Sequence, residues 1–396
     1  MKLSAILSAC LFTCGVAPVV AATPFDEAVA EILANNPSLT ATRMRLLGEV
    51  EQTLGENTLA APDVEFSHVW GTQDVGNKWT LSVSQSFDWP GVYAARRGAA
   101  KAKRSAAEYA IESAVMDLRF EVRNALIDII HNTQLLAVQR RLVGHMQDFA
   151  ETYRKGVELG DETRLDFNRA VIELVGAKEQ LNTLQAQRAS LISTLRTLNG
   201  GRAVDAIVES IGENYPIFTA VVPDSITPEV IRRRDPSYAA AAAALQVARE
   251  ARKVESRLAL PGFSLGYEHE TEMGGYFNGF SVGVSLPVWG RRHQRKAAAF
   301  EEEASRIEAE TALAVKVAQL DADLDRLVAL RATLDEYEPV VNTTENIDLL
   351  GKAFAVRQIS FSTYLQDMNY FIEANKAYLD TLYEYNLTLS SLKRYE

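Results

Sequence analysis

Two similar segments, 199 residues apart, decide the fold of this chain: residues 79–91 read WTLSVSQSFDWPG and residues 278–290 read NGFSVGVSLPVWG. In both segments, apolar side chains alternate with serine, glycine or other small and polar residues. A period of two residues is the pattern of a β-strand that has one apolar and one polar face. Each segment therefore predicts an amphipathic strand that ends at a proline-containing exit.

A second alternating segment precedes each of these strands, so each half of the chain is predicted to contain a hairpin, over residues 62–88 and 261–287. Strands of about ten to twelve residues are long enough to cross a bilayer when tilted. Aromatic residues cluster at the predicted strand ends, as in an interfacial girdle: Trp70, Trp79, Phe87, Trp89, Tyr267, Tyr276 and Trp289. A soluble sheet with one buried face would alternate in the same way.

The hairpins belong to a longer internal duplication. Asn36-Pro37-Ser38 matches Asp235-Pro236-Ser237 at the same spacing of 199 residues. A repeated unit of this kind indicates one architecture used twice. We predict a first repeat over residues 23–198, a linker rich in proline and glycine over 199–228, and a second repeat over 229–396.

Residues 1–22 have the pattern of a cleaved export signal. Lys2 is followed by an uncharged, mostly apolar stretch and by small residues suited to cleavage. A lipoprotein signal acylated at Cys10 is the alternative. Because Cys10 and Cys14 are the only cysteines, a processed chain would have no disulfide and no cysteine-based metal site.

The remaining sequence predicts long helices. Residues 92–159 contain no proline, and apolar residues recur there every three or four positions. Near the C-terminus a seven-residue register runs through Leu365, Met368, Ile372, Leu379, Leu382 and Leu389, with Asn375 and Asn386 at intervening seam positions. Helices this long have little core of their own, so they must pack side by side or against copies of themselves.

Four strands are too few to close a transmembrane barrel, for which about eight is the lower limit. Open sheet edges are not tolerated in lipid. Inserted hairpins would therefore require several copies around a common axis. Two, three or four copies would give eight, twelve or sixteen strands, and this argument does not choose among them.

The duplicated entries at 35–38 and 234–237, together with the strand exits at 85–91 and 284–290, resemble the TolC-like outer-membrane efflux protein family, over nearly the whole processed chain. The Trp-Pro-Gly exit is most similar to the heavy-metal efflux branch of CzcC-like and CusC-like proteins. The resemblance implies a mainly α fold with a small β part. A duplicated long-helix coiled-coil barrel would carry four transmembrane strands per protomer, completing a 12-stranded barrel in a homotrimer.

The function implied is that of an outer-membrane exit duct in a tripartite efflux system, passing small solutes to the exterior. Its partners would be a periplasmic adaptor, an inner-membrane transporter of the RND type and outer-membrane lipid. The alternatives are a channel for type I protein secretion and a structural periplasmic coiled-coil protein without a pore. The net charge of -11 argues against nucleic-acid binding.

Family members narrow at a periplasmic tip where the helices turn back, which corresponds here to the turns at residues 156–161 and 351–360. The resemblance makes Asp166, Arg357, Thr363 and Asp367 gate candidates, and Asp161, Arg164 and Ser360 adaptor-docking candidates. The strand alternation makes Leu81, Val83, Phe280 and Val282 the predicted lipid-facing residues.

No sequence motif indicates catalysis or a bound cofactor, and we expect no enzymatic activity. Residues 268–273 combine His269 with Glu268, Glu270, Glu272 and Met273, which suggests either a metal site or a polar loop at the end of a hairpin. The polar loop is the preferred interpretation, and no metal ligand is assigned. Basic residues follow both hairpins, where they could lie near anionic headgroups or pair with neighbouring helices.

Overall fold

The computed structural model of the chain describes residues 23–72, 76–216, 227–272, 274–287, 290–339, 341, 349–354, 356 and 358–395. The predicted signal segment 1–22 and the gate candidate Arg357 lie outside these residues. Parts of the two hairpin turns, of the linker and of the second predicted tip also lie outside them.

The same order of elements occurs twice. The first set comprises α1 (Pro24–Asn35), α2 (Pro37–Gly55), β1 (Asp63–Val69), β2 (Lys78–Phe87), α3 (Pro90–Leu159) and α4 (Arg164–Leu198). A short helix, α5 (Asp205–Ile211), follows. The second set comprises α6 (Pro228–Arg234), α7 (Pro236–Arg257), β3 (Gly262–Glu272), β4 (Gly275–Ser285), α8 (Arg292–Tyr337) and α9 (Phe361–Leu392), after which Lys393–Tyr395 form a 3-10 turn. The predicted mainly α fold with a small β part is confirmed.

The repeated Asn-Pro-Ser and Asp-Pro-Ser sequences start equivalent helices. The side chain of Asn36 accepts a hydrogen bond from the Leu39 N–H at 2.9 Å, and Asp235 accepts one from the Ser237 N–H at 2.8 Å. Proline suits the first helical position because that position needs no N–H donor. The Asn36 amide also donates to the Leu198 carbonyl at 2.9 Å, which joins the start of α2 to the end of α4.

Helix α3 is the longest helix among the described residues. Its 70 residues correspond to a length of about 105 Å. Near its middle the fully buried residues Val122, Leu126 and Ile130 form a core with α1, α4 and α5. Helix α9 contributes buried residues in the predicted seven-residue register, and these are Met368, Ile372, Leu379, Asn386 and Leu389.

The four strands form one antiparallel sheet in the order β1-β2-β3-β4. Strand β1 has seven residues, fewer than predicted, because its pairing ends where Val69 meets Lys78, the first residue of β2. The interpretation of Glu268 to Glu272 as a loop was wrong. These residues pair with β2 on one side and β4 on the other, so they are part of β3.

Within the described ranges, every helix is too short or too polar to meet the requirements of a membrane-spanning helix.

Candidate functional site

One face of the sheet is apolar across all four strands. Residues directly opposite each other in a ladder lie on the same face, and Leu81 stands opposite Phe66 while Leu265 stands opposite Val282. This apolar face is exposed: Phe280 is 84% accessible and Val282 76% accessible. A contiguous apolar surface of this kind indicates contact with a non-aqueous environment or a partner. The four predicted lipid-facing residues all lie on it, and their contact with lipid stays a prediction.

The opposite face is small and polar. On the second hairpin it is built from serine–glycine pairs, including Gly266 opposite Ser281 and Ser264 opposite Gly283. A Cβ atom added at Gly266 would lie 2.5 Å from the Ser281 Oγ, and one added at Gly283 would lie 2.3 Å from the Ser264 Oγ. Because these pairs hold only serine and glycine, no large side chain protrudes from this part of the polar face, as the lining of a passage requires.

Carboxylates occupy the polar face near the hairpin turns. Glu65, Glu268, Glu270 and Glu272 lie on this side, and the Lys78 Nζ is 2.7 Å from a Glu270 carboxylate oxygen. His269 lies on the apolar face, where its Nδ1 lies 2.7 Å from the Asn278 Oδ1. The strand alternation thus separates His269 from the glutamates beside it in sequence. In the part of the chain that the structure covers, no three His, Cys, Asp or Glu side chains are grouped to hold a metal ion.

Aromatic side chains stand at both ends of the apolar face. At the turn end, the Trp79 ring is 5.1 Å from His269, and the His68 ring is 4.8 Å from Trp70. At the helix end, Trp89 packs 5.7 Å from Phe263. The nine residues from Trp79 to Phe87 span about 26 Å, close to the ~25 Å apolar band of an outer-membrane barrel.

The first helical turn, at the predicted tip, is built around glycine and a capping pair. Helix α3 ends where Gly160 takes a left-handed φ of 82°, and the Asp161 N–H donates to the Gly156 carbonyl at 2.9 Å. The Asp166 N–H donates to the Thr163 hydroxyl oxygen at 3.1 Å, and that hydroxyl donates to the Asp166 carboxylate at 2.5 Å. Thr163 is therefore the N-cap of α4, and the gate candidate Asp166, at the third helical position, accepts a hydrogen bond from the side chain of that cap.

The second predicted tip starts α9 in the same way, with a neutral residue in place of the aspartate. The Thr363 N–H donates to the Ser360 Oγ at 3.2 Å, so Ser360 and Thr363 correspond to Thr163 and Asp166. Asp367 is half-buried one turn further along α9. Of the described adaptor-docking candidates, Asp161, Arg164 and Ser360 belong to these two turns, and Asp161 and Arg164 are exposed.

An aromatic cluster behind the two turns joins them, and sequence reasoning missed it. The Phe149 ring lies 4.8 Å from Tyr364, 5.0 Å from Phe361 and 4.7 Å from Phe354. Burial raises the pKa of Tyr364 to about 12. The pair Phe149 and Tyr153, one helical turn apart, was the available signal. The cluster ties the end of α3 to the start of α9, so the two turns are packed as one unit.

A polar cluster between α3 and α9 was also missed, because its members are far apart in sequence. The His131 Nε2 is 3.1 Å from an Asp380 carboxylate oxygen, and the Tyr383 hydroxyl donates to Asp128 at 2.8 Å. Burial lowers the pKa of His131 although Asp380 opposes this, and burial raises the pKa of Asp128. A neutral His131 side chain is consistent with the surroundings of its Nδ1 atom, which is buried without a hydrogen-bond partner among the described residues.

Long helices combined with a two-faced sheet are also the fold of solved outer-membrane channels. Residues 28–201 match the family described as outer membrane efflux protein. The resemblance inferred from the strand exits and the duplication is thereby confirmed.

Solved structures extend the likeness beyond the matched residues. A membrane protein from Pseudomonas aeruginosa is 18% identical with a TM-score of 0.77, covering 94% of this chain and 93% of that one. The CmeC outer membrane channel from Campylobacter jejuni is 15% identical with a TM-score of 0.78, covering 94% and 85%. CusC is 14% identical with a TM-score of 0.74, covering 94% and 91%. These likenesses establish the fold. No curated protein matches the sequence.

The two faces of β4 predict opposite effects of a charged side chain. We expect Val282→Arg to reduce assembly in outer membranes, because an arginine facing the bilayer midplane costs about 2–4 kcal/mol. Ser281→Arg, one residue away on the polar face, should assemble nearly as the parent protein does. Quantitative immunoblotting of heat-modifiable oligomer in membrane fractions measures both variants. Equal assembly of the two would contradict the assignment of the faces.

His131 predicts a defined pH dependence of stability. Since its pKa is lowered in the folded chain, the unfolded chain binds more protons between that value and about 6.5. The stabilisation by neutral His131 is complete above about pH 6.5 and is lost as the pH falls, by up to about 1.4 kcal/mol for each pH unit crossed. Thermal unfolding from pH 7.5 to 5 should show a smaller decline for His131→Gln than for the parent. His145→Gln, on the same helix, is the control, and a parental decline in His131→Gln would refute the assignment.

Proposed function

We propose that this chain is one protomer of a trimeric exit duct in the outer membrane, which passes small solutes out of a tripartite efflux system. The observation that carries the proposal is the single four-stranded sheet, apolar on one face and small and polar on the other. The match of residues 28–201 to the outer membrane efflux protein family supports the same function.

The edges of the sheet support a cyclic assembly. Strands β1 and β4 each pair on one side only within the described chain, which leaves a row of backbone groups unpaired at each edge. In a bilayer such groups must find partners. Pairing β1 of one copy with β4 of the next satisfies both edges with one repeated interface. Three copies of four strands would give twelve, within the range of known outer-membrane barrels.

The helices would continue this barrel into the periplasm. Helices α3 and α8 leave the strand exits, and α3 is long enough at about 105 Å to carry the passage far from the membrane. We propose that the chain is divided as its sequence predicts, with repeats over residues 23–198 and 229–396 and a linker over 199–228. A cleaved signal over residues 1–22 would deliver it to the periplasm.

At the far end, the two packed turns would meet the partners of the duct. Asp161, Arg164 and Ser360 would contact a periplasmic adaptor, which would link the duct to an inner-membrane transporter of the RND type. The carboxylates on the polar face of the sheet favour cations over anions in the passage. This is compatible with the heavy-metal branch. A type I secretion channel would share the fold and would differ in its adaptor and its cargo.

Cysteine pairs test the proposed β1–β4 interface directly. Phe66→Cys should be combined in turn with Phe280→Cys, Val282→Cys and Val284→Cys in the processed protein. Because all four positions lie on the apolar face, oxidation should join one of these pairs between copies and give covalent dimers and trimers on denaturing gels. Phe66→Cys with Ser281→Cys is the control, since these side chains lie on opposite faces.

Failure of all three pairs, together with a monomeric mass in detergent, would favour a structural periplasmic protein without a pore over a duct.

Substitution of Asp166 tests whether the first turn forms part of a gate. Asp166→Asn removes the charge but keeps an acceptor for the Thr163 hydroxyl, whereas Asp166→Ala removes both. If the charges around the axis hold the duct closed, Asp166→Asn should raise the single-channel conductance in planar bilayers. One exposed polar pair contributes only about 0–1 kcal/mol, so three copies acting together are required.

Asp148→Asn, on the exposed surface of α3 about three turns before the α3–α4 turn, is the matched control. Parental conductance in Asp166→Asn, with normal assembly, would place the gate elsewhere. Increased conductance in Asp166→Ala alone would assign the effect to the lost hydrogen bond with the Thr163 hydroxyl.

A further inference from the structure

A basic pocket lies directly below the second hairpin, between the end of α7 and the start of α8. Its volume is about 490 Å³, and its lining includes Arg252, Arg291, Arg292, Arg295 and Lys296. Five cationic side chains around one concave surface repel each other unless an anion is present. The carboxylates within reach therefore decide whether the pocket is already neutralised.

Two of the five side chains have acidic partners. Arg291 is 3.0 Å from a Glu255 carboxylate oxygen, and Arg252 is 2.9 Å from one of Glu302. Among the described residues, no carboxylate lies within 4.0 Å of Arg292, Arg295 or Lys296. Three positive charges of the pocket thus remain uncompensated.

In the first repeat, the arginine equivalent to Arg295 has an acidic partner within the chain. At the spacing of 199 residues, Arg96 corresponds to Arg295, and Asp88 corresponds to Pro287. The Arg96 guanidinium is 2.9 Å from the Asp88 carboxylate. In the second repeat a proline replaces this aspartate, so Arg295 has lost the acidic partner that its counterpart keeps. The uncompensated charge is therefore specific to one of two otherwise similar sites.

The backbone at this position adds to the attraction for an anion. Arg291 has a φ of 71°, an uncommon value for a residue other than glycine, and it precedes the 46-residue helix α8 without capping the helix with its side chain. The uncapped N–H groups at the start of a helix favour negative charge. Arginine also binds a phosphate through two parallel hydrogen bonds, which suits Arg292 and Arg295 to such a ligand.

The position of the pocket indicates the source of the anion. The pocket begins at Pro287, two residues after the end of β4, on the helix side of the sheet where Trp89 and Phe263 form the aromatic level. If the strands span the outer membrane, as the proposed function requires, this level coincides with the phospholipid headgroups of the periplasmic leaflet. Phe300, 65% exposed and 5.5 Å from the Lys296 Nζ, adds an apolar surface beside the charges.

We propose that this pocket binds the phosphate of an anionic phospholipid headgroup, with Arg292, Arg295 and Lys296 as its principal contacts. The bound lipid would supply the charge that Asp88 supplies in the first repeat. It would also fix the height of each protomer relative to the membrane, because basic side chains near an anionic surface are held at the headgroup level.

Native mass spectrometry of the purified full-length oligomer tests the proposal. Dioleoyl phosphatidylglycerol is titrated against the parent protein and against the variant Arg292→Gln, Arg295→Gln, Lys296→Gln. We expect the variant to bind about a hundredfold more weakly, since each basic side chain near an anionic surface contributes on the order of a fivefold gain. The variant Arg97→Gln, Lys101→Gln, Arg104→Gln carries the same charge change in the first repeat and should bind as the parent does.

Three outcomes would overturn the proposal. The first is equal binding of dioleoyl phosphatidylcholine, which has the same phosphate but no net charge, because this would show that the pocket does not select an anionic headgroup. The second is inorganic phosphate binding as tightly as the lipid, which would make the pocket a site for free anions. The third is dissociation of the pocket variant into monomers with lipid affinity unchanged, which would mean that carboxylates of a second copy fill the pocket. Monomers in every variant, including the control, would instead count against the trimeric duct itself.

Discussion

Backbone hydrogen bonding at the edges of the four-stranded sheet is the constraint on which the proposed assembly depends. Each strand pairs internally except along one side of β1 and one side of β4. In water such edges can be solvated, but in lipid an unpaired N–H or C=O group costs several kcal/mol. The exposed apolar face favours a non-aqueous environment or a partner, and the open edges disfavour a lone copy in lipid. The proposed closed ring of copies meets both requirements.

The length of α3 follows from the same requirement. The proposed passage would need walls beyond the membrane, and a single helix of 70 residues would provide a wall without a globular domain. Such a helix has little core of its own, so its buried residues cluster where α1, α4, α5 and α9 cover it. The aromatic cluster around Phe149 then joins α3 to α9 at the far end. The buried side chains that stabilise α3 are therefore grouped at a few positions along its length.

The duplication gives two halves with the same order of elements. Single-residue differences between equivalent positions give each half its own local charge. Asp166 and Thr363 occupy equivalent third positions of α4 and α9, where their N–H groups donate to the caps, so only one of the two turns has a carboxylate there. Asp88 and Pro287 are likewise equivalent. Arg96 therefore has a carboxylate partner at its strand exit, whereas a proline takes the place of that partner near Arg295. In both cases a single substitution changes the local charge, while the order of helices and strands stays the same in the two halves.

The sequence by itself determined the elements and their faces: the strand alternation fixed which side of β2 and β4 is apolar, and the Asn-Pro-Ser and Asp-Pro-Ser signals fixed where α2 and α7 begin. These features depend on neighbours in sequence, through the period of the backbone and the capping of helices. Only the tertiary structure decided which distant residues meet. It paired His131 with Asp380, grouped the aromatic rings behind the turns, and extended β3 through His269 by giving it partners on both sides. Such contacts depend on how α3 and α9 pack and on the sheet register, and no local pattern encodes either.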